Sequence, residues 1–573
     1  MLKKLLHRNW DAPPTVPRQL FCYIDFLIVL TVVGLSFFLY LGSRPLAIPD
    51  EGRYAEIPRE MLVLKDYITP HLNFLKYFEK PPLFYWLQTA SFKLFGLNEW
   101  AARFPTALMG LLGCMMTYLT SFKLYGRRTA FLASIILASS MLYFAMAHLN
   151  TLDMTLSVFL TAALYCFILG QREPIGLKRR WLFWGMYLCA SLAILTKGLI
   201  GLLFPIVIIG LWVLLMNQWD LLKKAYLPSG LLMIVCIALP WHLLVQRSSP
   251  EFFDFYIIQQ QFLRYFTNSA GRSQAWWFFL TILAVGFFPW ISFLFQAIKY
   301  HWPSSWANRH QQKEVVFLML WAGLIFSFFN FSNSKLIPYI LPVLPPLAIL
   351  VAKYLAETST LDKPPLGLKI GLGGIFICLG LVAITLTLLA IFPSYIELTH
   401  PADAQFYFIM SAILLSIGMM VMVLIKQTLP RLVLIALTSL CFYMITVINT
   451  PNIDPRSVKP LAVKLLPYLQ PHDKIVTYEF YYQDLPFYLQ RRLVIVNWDN
   501  ELTLGKSFLS SEEKKQWTPT DEELWQAWRT QERIFLFTQK TTYINKLKQK
   551  NLPMYKIAET SQAILISNQA VDL

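Results

Sequence analysis

The segment Pro49-Asp50-Glu51-Gly52-Arg53-Tyr54-Ala55-Glu56 puts three acids, an arginine and a tyrosine into one short stretch, directly behind the apolar run Tyr23 to Leu41. Charges beside such a run are common, but an acidic cluster this dense, opening a loop of nearly sixty residues, is not. A carboxylate here can act as a general base or as an electrostatic partner for a reacting centre. Further ionisable residues recur in short polar islands. Glu79 and Lys80 stand in Tyr77-Phe78-Glu79-Lys80-Pro81-Pro82, Asp153 follows Leu152, and Lys197 stands in Thr196-Lys197-Gly198. Lys335 opens Lys335-Leu336-Ile337-Pro338-Tyr339. Lysines are compact cations suited to phosphate groups, so carboxylates and lysines together suit an anionic lipid headgroup.

The elements that must position these residues are membrane helices. Hydrophobic residues make up 56% of the chain and charged residues only 14%, where soluble proteins carry about a quarter charged residues. About thirteen apolar runs are long enough to cross a bilayer, the first at 22–43 and the last at 430–449. The segment 82–95, interrupted by Gln88 and Lys93, reads as an amphipathic surface helix. Alternate loops are basic, as with Lys123, Arg127 and Arg128 or Arg172, Lys178, Arg179 and Arg180, whereas 393–403 has no lysine or arginine. The basic side is therefore expected to be cytoplasmic. That places the N-terminus inside, and the tail from about 450 outside together with Asp50, Glu79, Lys80, Asp153, Lys197 and Lys335. The net charge of +17 belongs mainly to the membrane part, with 34 Lys/Arg against 19 Asp/Glu before residue 450, so no nucleic-acid partner is needed to explain it. The first run reads as an uncleaved signal anchor. The seven cysteines show no metal-ligand or disulfide spacing.

The expected organisation is a membrane domain over 1–449, with its first outside loop at 45–100, and a soluble α/β domain over 450–573. The α/β assignment rests on runs such as Lys474 to Tyr478, Arg492 to Val496 and Arg533 to Phe537, set between polar helical stretches at Glu512 to Arg529 and Thr541 to Lys550. Plainer roles stand beside the chemical ones. Lys197 and Lys335 can snorkel at helix ends, Asp153 can be a helix-dipole acid, and Glu79-Lys80-Pro81-Pro82 can be a helix start. His148 reads as a buried or interfacial histidine rather than a metal ligand, and Trp276-Trp277 as an interfacial belt. A secondary transporter also has many spans, but its charges gather near the midplane within repeats, a pattern this sequence does not show.

The segment Pro49 to Met61, followed in order by the islands at Glu79-Lys80, Leu152-Asp153, Thr196-Lys197-Gly198 and Ser334 to Tyr339, resembles bacterial lipid-carrier-dependent glycosyltransferases. Within them it is most similar to the aminoarabinose transferases that modify lipid A. The resemblance covers about 1–450 and implies a GT-C-type membrane enzyme, related to protein O-mannosyltransferases, in the bacterial inner membrane. Such an enzyme takes a sugar from undecaprenyl phosphate and transfers it with inversion, here onto a lipid A phosphate at the periplasmic face. Another hexose or amino sugar, moved to a different lipid, glycan or protein, is the alternative. Carried over motif by motif, Asp50 and Asp153 become the key carboxylates. Arg53, Lys80, Lys197, Lys335 and Tyr339 become partners of the carrier phosphate, and Tyr54 and Glu79 line the cavity. One departure concerns metal: Gln260-Gln261 stands where relatives place Glu-His. Glutamine is a poor transition-metal ligand, which counts against a metal at Glu79. The donor implied by the resemblance carries a phosphate leaving group that cationic side chains can stabilise, so no cofactor is required.

Overall fold

The computed structural model describes residues 16–267, 271–303, 305–361, 363–395, 398–454 and 456–571. The chain divides into two compact units. The first takes in Met1–Leu41, Arg103–Phe392 and Gln405–Val447, the second Gly42–Ala102, Pro393–Ala404 and Ile448–Leu573.

The first unit is helical. Among the described residues, eight helices are long and apolar enough to cross a membrane, and ten spans result if two bent pairs each count as one. One pair, Arg127–Ala138 and Met141–Ala147, bends by 65°; the other, Phe278–Gly286 and Ile291–His301, bends by 101°. The second break holds Pro289, which has no N–H to continue a helical ladder. Three further expected spans fall on helices that are shorter or more basic: Val16–Phe38, Leu177–Lys197 and Ile200–Leu215. All thirteen expected segments are thus helical, though only eight are single, long and strongly apolar. One buried charge of this unit is met by an opposite one. Arg127 grips Asp25 through two contacts, one of them Nη2 to Oδ1 at 2.8 Å, as a charge inside an apolar bundle requires.

In the second unit, the helix Leu83–Phe95 buries Phe84, Tyr85, Gln88 and Phe92 and exposes Lys93 and Leu94. A two-stranded ribbon, β1 (His71–Leu72) and β2 (Leu75–Lys76), precedes it. The C-terminal segment forms a five-stranded sheet from β3 (Lys474–Tyr478), β4 (Val494–Val496), β5 (Ile534–Gln539), β6 (Tyr555–Glu559) and β7 (Ala563–Ser567), in the order β4-β3-β5-β7-β6. β3 runs parallel to both β4 and β5, while β7 is antiparallel to β5 and β6. Parallel neighbours need crossovers, here supplied by the helix Leu485–Leu489 and by the helices Ser511–Trp517 and Asp521–Trp528. Each of the last two starts in a capping box, Ser510 with Glu513 and Thr520 with Glu523, which satisfies end donors reciprocally. Alternate residues on one sheet face, Val476 and Tyr478, Val494 and Val496, Ile534 and Leu536, Ile564 and Ile566, pack with Leu524, Trp525 and Trp528. Ile475, Phe535, Phe537 and Leu565 on the other face are buried as well, so the strands are apolar on both sides.

The first loop and the C-terminal segment fold as parts of the same unit. Asn73 Nδ2 donates to the Leu493 carbonyl at 2.9 Å while its Oδ1 accepts from the Leu493 N–H at 2.8 Å. Lys459 pairs with Glu99, and Leu46, Ala55, Phe92, Ala101, Ala102 and Phe487 share one apolar cluster.

Candidate active site

The acidic segment is the start of the helix Asp50–Leu64. Acids in a first turn are favoured by the helix dipole, but most of these acids are committed elsewhere. Glu51 is buried; its Oε1 accepts from Arg44 Nη2 at 2.9 Å and its Oε2 from the Ala47 N–H at 2.9 Å. Glu56 is buried and chelates Arg59, whose Nε lies 2.7 Å away. Glu60, one turn on, accepts from the Phe74 N–H at 2.8 Å. Burial, reinforced by the charge of Glu56, holds the Glu60 carboxyl well above the usual carboxylate range. The cluster thus resolves into internal ties and a single outward carboxylate, Asp50, whose side chain is 55% exposed.

Arg53 stands behind Asp50. Its Nη2 lies 2.5 Å from Glu501 Oε2, its Nη1 donates to Tyr77 Oη at 3.4 Å, and Asp50 Oδ1 is 3.8 Å away. Burial works against its charge, yet Tyr77, Glu501, Glu79 and Asp50 together hold the guanidinium well above its ordinary range. Burial in turn raises the Glu501 carboxyl, against the pull of Arg53 and of the Gln483 hydrogen bond. Tyr54 is buried with its ring against Phe84 and Tyr85, at centroid distances of 5.8 and 6.1 Å. Glu79 is half-buried and Lys80 buried in the turn before Pro81.

The membrane unit holds a second cluster. Leu152–Gly170 and Leu177–Lys197 are consecutive helices joined by a short turn. Asp153 in the first turn of one therefore comes level with Lys197 in the last turn of the other, and each sits at the helix end its charge prefers. The two form an ion pair with side chains 15% and 11% exposed. Lys197 Nζ also lies 4.6 Å from the centroid of the Tyr339 ring, a cation–π contact, and Tyr339 in turn packs on Phe329 at 4.9 Å. Lys335 is buried; its Nζ donates to the Ala275 carbonyl at 3.2 Å and its backbone N–H to that of Arg272 at 3.1 Å. Three sequence islands, at 153, 197 and 339, thus meet directly. His148 is buried, with Nδ1 2.9 Å from the Phe144 carbonyl and its ring stacked on Phe144, and Trp276 and Trp277 are exposed. Among the described residues, no group of three or more His, Cys, Asp or Glu could hold a metal ion.

Sequence reasoning did not find Glu501, Gln483 or Asp484. The available signal was their place: they follow the carboxyl ends of β4 and β3, two adjacent parallel strands, the edge where α/β sheets collect functional groups.

Comparison with known proteins follows the same outline. Residues 79–242 match the family described as dolichyl-phosphate-mannose-protein mannosyltransferase, and residues 461–568 match the aminoarabinose transferase C-terminal domain. An undecaprenyl phosphate-alpha-4-amino-4-deoxy-L-arabinose arabinosyl transferase of Proteus mirabilis is 33% identical over 56% of this chain and 57% of its own length. That of Enterobacter is 31% identical over 66% and 67%. The chain spans less than two thirds of the length of the first of these curated relatives. The crystal structure of ArnT from Cupriavidus metallidurans bound to undecaprenyl phosphate superposes with a TM-score of 0.83 at 28% identity, covering 95% of this chain and 98% of that one. The same enzyme in the apo state gives 0.81. This chain, a multi-pass inner-membrane protein of GT-C fold, belongs to the undecaprenyl phosphate-aminoarabinose arabinosyl transferase family.

Proposed function

We propose that this protein is a glycosyltransferase that moves 4-amino-4-deoxy-L-arabinose from undecaprenyl phosphate to a phosphate of lipid A, with its acidic loop and C-terminal segment in the periplasm. The observation that carries this reading is the chain-wide likeness to the Cupriavidus ArnT bound to undecaprenyl phosphate. In the proposed reaction, an oxygen of the acceptor phosphate bonds to the anomeric carbon as the bond to the carrier phosphate breaks, with inversion. Undecaprenyl phosphate leaves with the electron pair. The acceptor is already anionic near neutral pH, so no proton need be removed from it.

The exposed Asp50 is assigned to the sugar centre, where it stabilises positive charge or orients the ring, and Asp153 is the second key carboxylate. Lys80 and Arg53 in the first loop, and Lys197, Lys335 and Tyr339 in the membrane unit, are assigned to the carrier phosphate, with Tyr54 and Glu79 lining the first-loop part. The chemistry needs no metal, since the donor brings a phosphate leaving group and cationic side chains balance its charge. A cationic sugar on lipid A lowers the negative charge of the outer surface, and resistance to cationic peptides follows. The mannosyltransferase match over 79–242 supports a second reading with a hydroxyl acceptor, in which Asp50 takes the proton. Mass spectrometry of lipid A from cells lacking and then expressing the protein decides between them. Addition of the amino sugar to a lipid A phosphate is expected on expression; an unchanged profile with the donor lipid present would remove lipid A as acceptor.

A further inference from the structure

Two consecutive residues fasten the acidic loop to the C-terminal segment. A Cβ on Gly52 would lie 2.5 Å from the Asp484 amide nitrogen and 2.6 Å from the Gln483 carbonyl carbon. Both are backbone atoms, so neither can swing aside, and position 52 must be glycine for the chain to approach this closely. One residue on, Arg53 and Glu501 form an ion pair in which both side chains are less than a tenth exposed. The second oxygen of Glu501 accepts from Gln483 Nε2 at 2.8 Å, so the turn that touches Gly52 also holds the carboxylate. That fixes Arg53 at Nη2 and leaves Nη1 directed at Tyr77 and Asp50. A charge-assisted hydrogen bond with its far end tied down has little freedom, so Nη1 stands as a fixed positive charge 3.8 Å from the Asp50 carboxylate.

We propose that Glu501 is a positioning residue for the transferase: through Arg53 it sets the carboxylate of Asp50, so that the C-terminal segment fixes the geometry of the acidic loop. This rests on the reading of Asp50 as a group that acts on the donor sugar. Glu501 itself touches neither substrate nor reacting atom.

The test uses the whole chain in lipid nanodiscs, with Glu501→Ala and Glu501→Asp. A displacement of about 1 Å in a catalytic group costs on the order of 100-fold, so Glu501→Ala is expected to lose roughly that in kcat, and KM for the lipid donor should rise as well because Arg53 is assigned to its phosphate. Glu501→Asp, which keeps the charge, should recover at least about tenfold of the loss. A kcat within threefold of the parent protein in Glu501→Ala overturns the proposal. So does a loss that comes with a lowered melting temperature and is not relieved by aspartate.

A second arm needs no turnover. Asp50→Cys is labelled with a membrane-impermeant thiol reagent, with and without Glu501→Ala. Arg53 released from Glu501 is free to pair with the thiolate introduced at position 50, so labelling at neutral pH should change by about fivefold or more. An unchanged rate overturns the positioning role. A changed rate in a protein that shows no transfer from undecaprenyl phosphate supports the positioning role and counts against the functional reading alone.

Discussion

In the first loop the Asp50 side chain is 55% exposed and its nearest described cation lies 3.8 Å away, while in the membrane unit Asp153 is 15% exposed and closed by Lys197. The surroundings differ in the same sense. Around Asp50, three neighbouring acids are spent on internal ties: Glu51 on Arg44, Glu56 on Arg59 and Glu60 on the Phe74 N–H. Around Asp153, the charge balance is local and complete, one carboxylate against one ammonium that also lies over the Tyr339 ring. An open carboxylate can meet a substrate as the structure stands. A paired one must first trade its partner, which in an apolar setting costs several kcal/mol unless an incoming charge replaces it. An anion that draws Lys197 toward itself would be such a replacement, so the two carboxylates differ in what must happen before each can meet a ligand.

The strongest way to break this contrast is to remove the carboxylates in turn. Asp50→Asn is expected to cut transfer by about 10³-fold, within the range for a positioned acid–base or charge-stabilising group, with no loss of folded protein because the side chain is exposed. Asp153→Asn should cost transfer too, but with a fall in stability, since it strands Lys197. Initial rates in nanodiscs beside thermal melts separate the two. Equal melting temperatures for both variants would mean that the Asp153–Lys197 pair does no structural work.

A somewhat smaller effect is expected from Lys197→Ala. Removing one member of a buried pair costs about 3–5 kcal/mol, and the lower end applies because both side chains keep some exposure. The double variant Asp153→Asn with Lys197→Ala should be more stable than Lys197→Ala alone, because no uncompensated charge is left. A double-mutant cycle on melting data measures that coupling. Additive losses would show the pair to be two independent charges.

How far these arrangements were legible in the sequence depended on how local they are. Asp153 and Lys197 could be brought level by counting along two membrane-length helices, and the strands at 474–478 and 534–539 showed in their apolar alternation. β7, all of it buried, and its partner β6 were not expected, because Tyr555–Glu559 is largely exposed and carries two charges and no continuous apolar pattern. The division of labour among Asp50, Glu51 and Glu56 was hidden for another reason. Three acids in seven positions read alike until the arginines that claim two of them are placed. Gly52 was legible as a glycine but not as a contact, since the backbone it admits lies more than four hundred residues further along. Arg53 was read from its motif as a phosphate partner, and its tie to Glu501 depends on tertiary placement alone.

The smallest effect expected concerns the seam beside Gly52. Asp484 is fully buried; its Oδ2 accepts from Ser457 Oγ at 2.6 Å and from the Val458 N–H at 3.1 Å. Burial outweighs both hydrogen bonds and pushes its carboxyl up to about 7. A folded-state value above the unfolded one means that the folded chain holds the proton more tightly. The stability this contributes is complete below about pH 4 and is lost as pH rises through about 7. Asp484→Asn keeps an acceptor for Ser457 and Val458 but cannot ionise, so melts from pH 4 to 8 should show a shallower decline than those of the parent protein. Glu60, raised in the same direction, leaves part of the slope in place. A slope unchanged by Asp484→Asn would assign the whole pH dependence to other groups. Substituting Asp153 should leave this slope as it is, which would make the proton-linked seam a property of the unit that carries the open carboxylate.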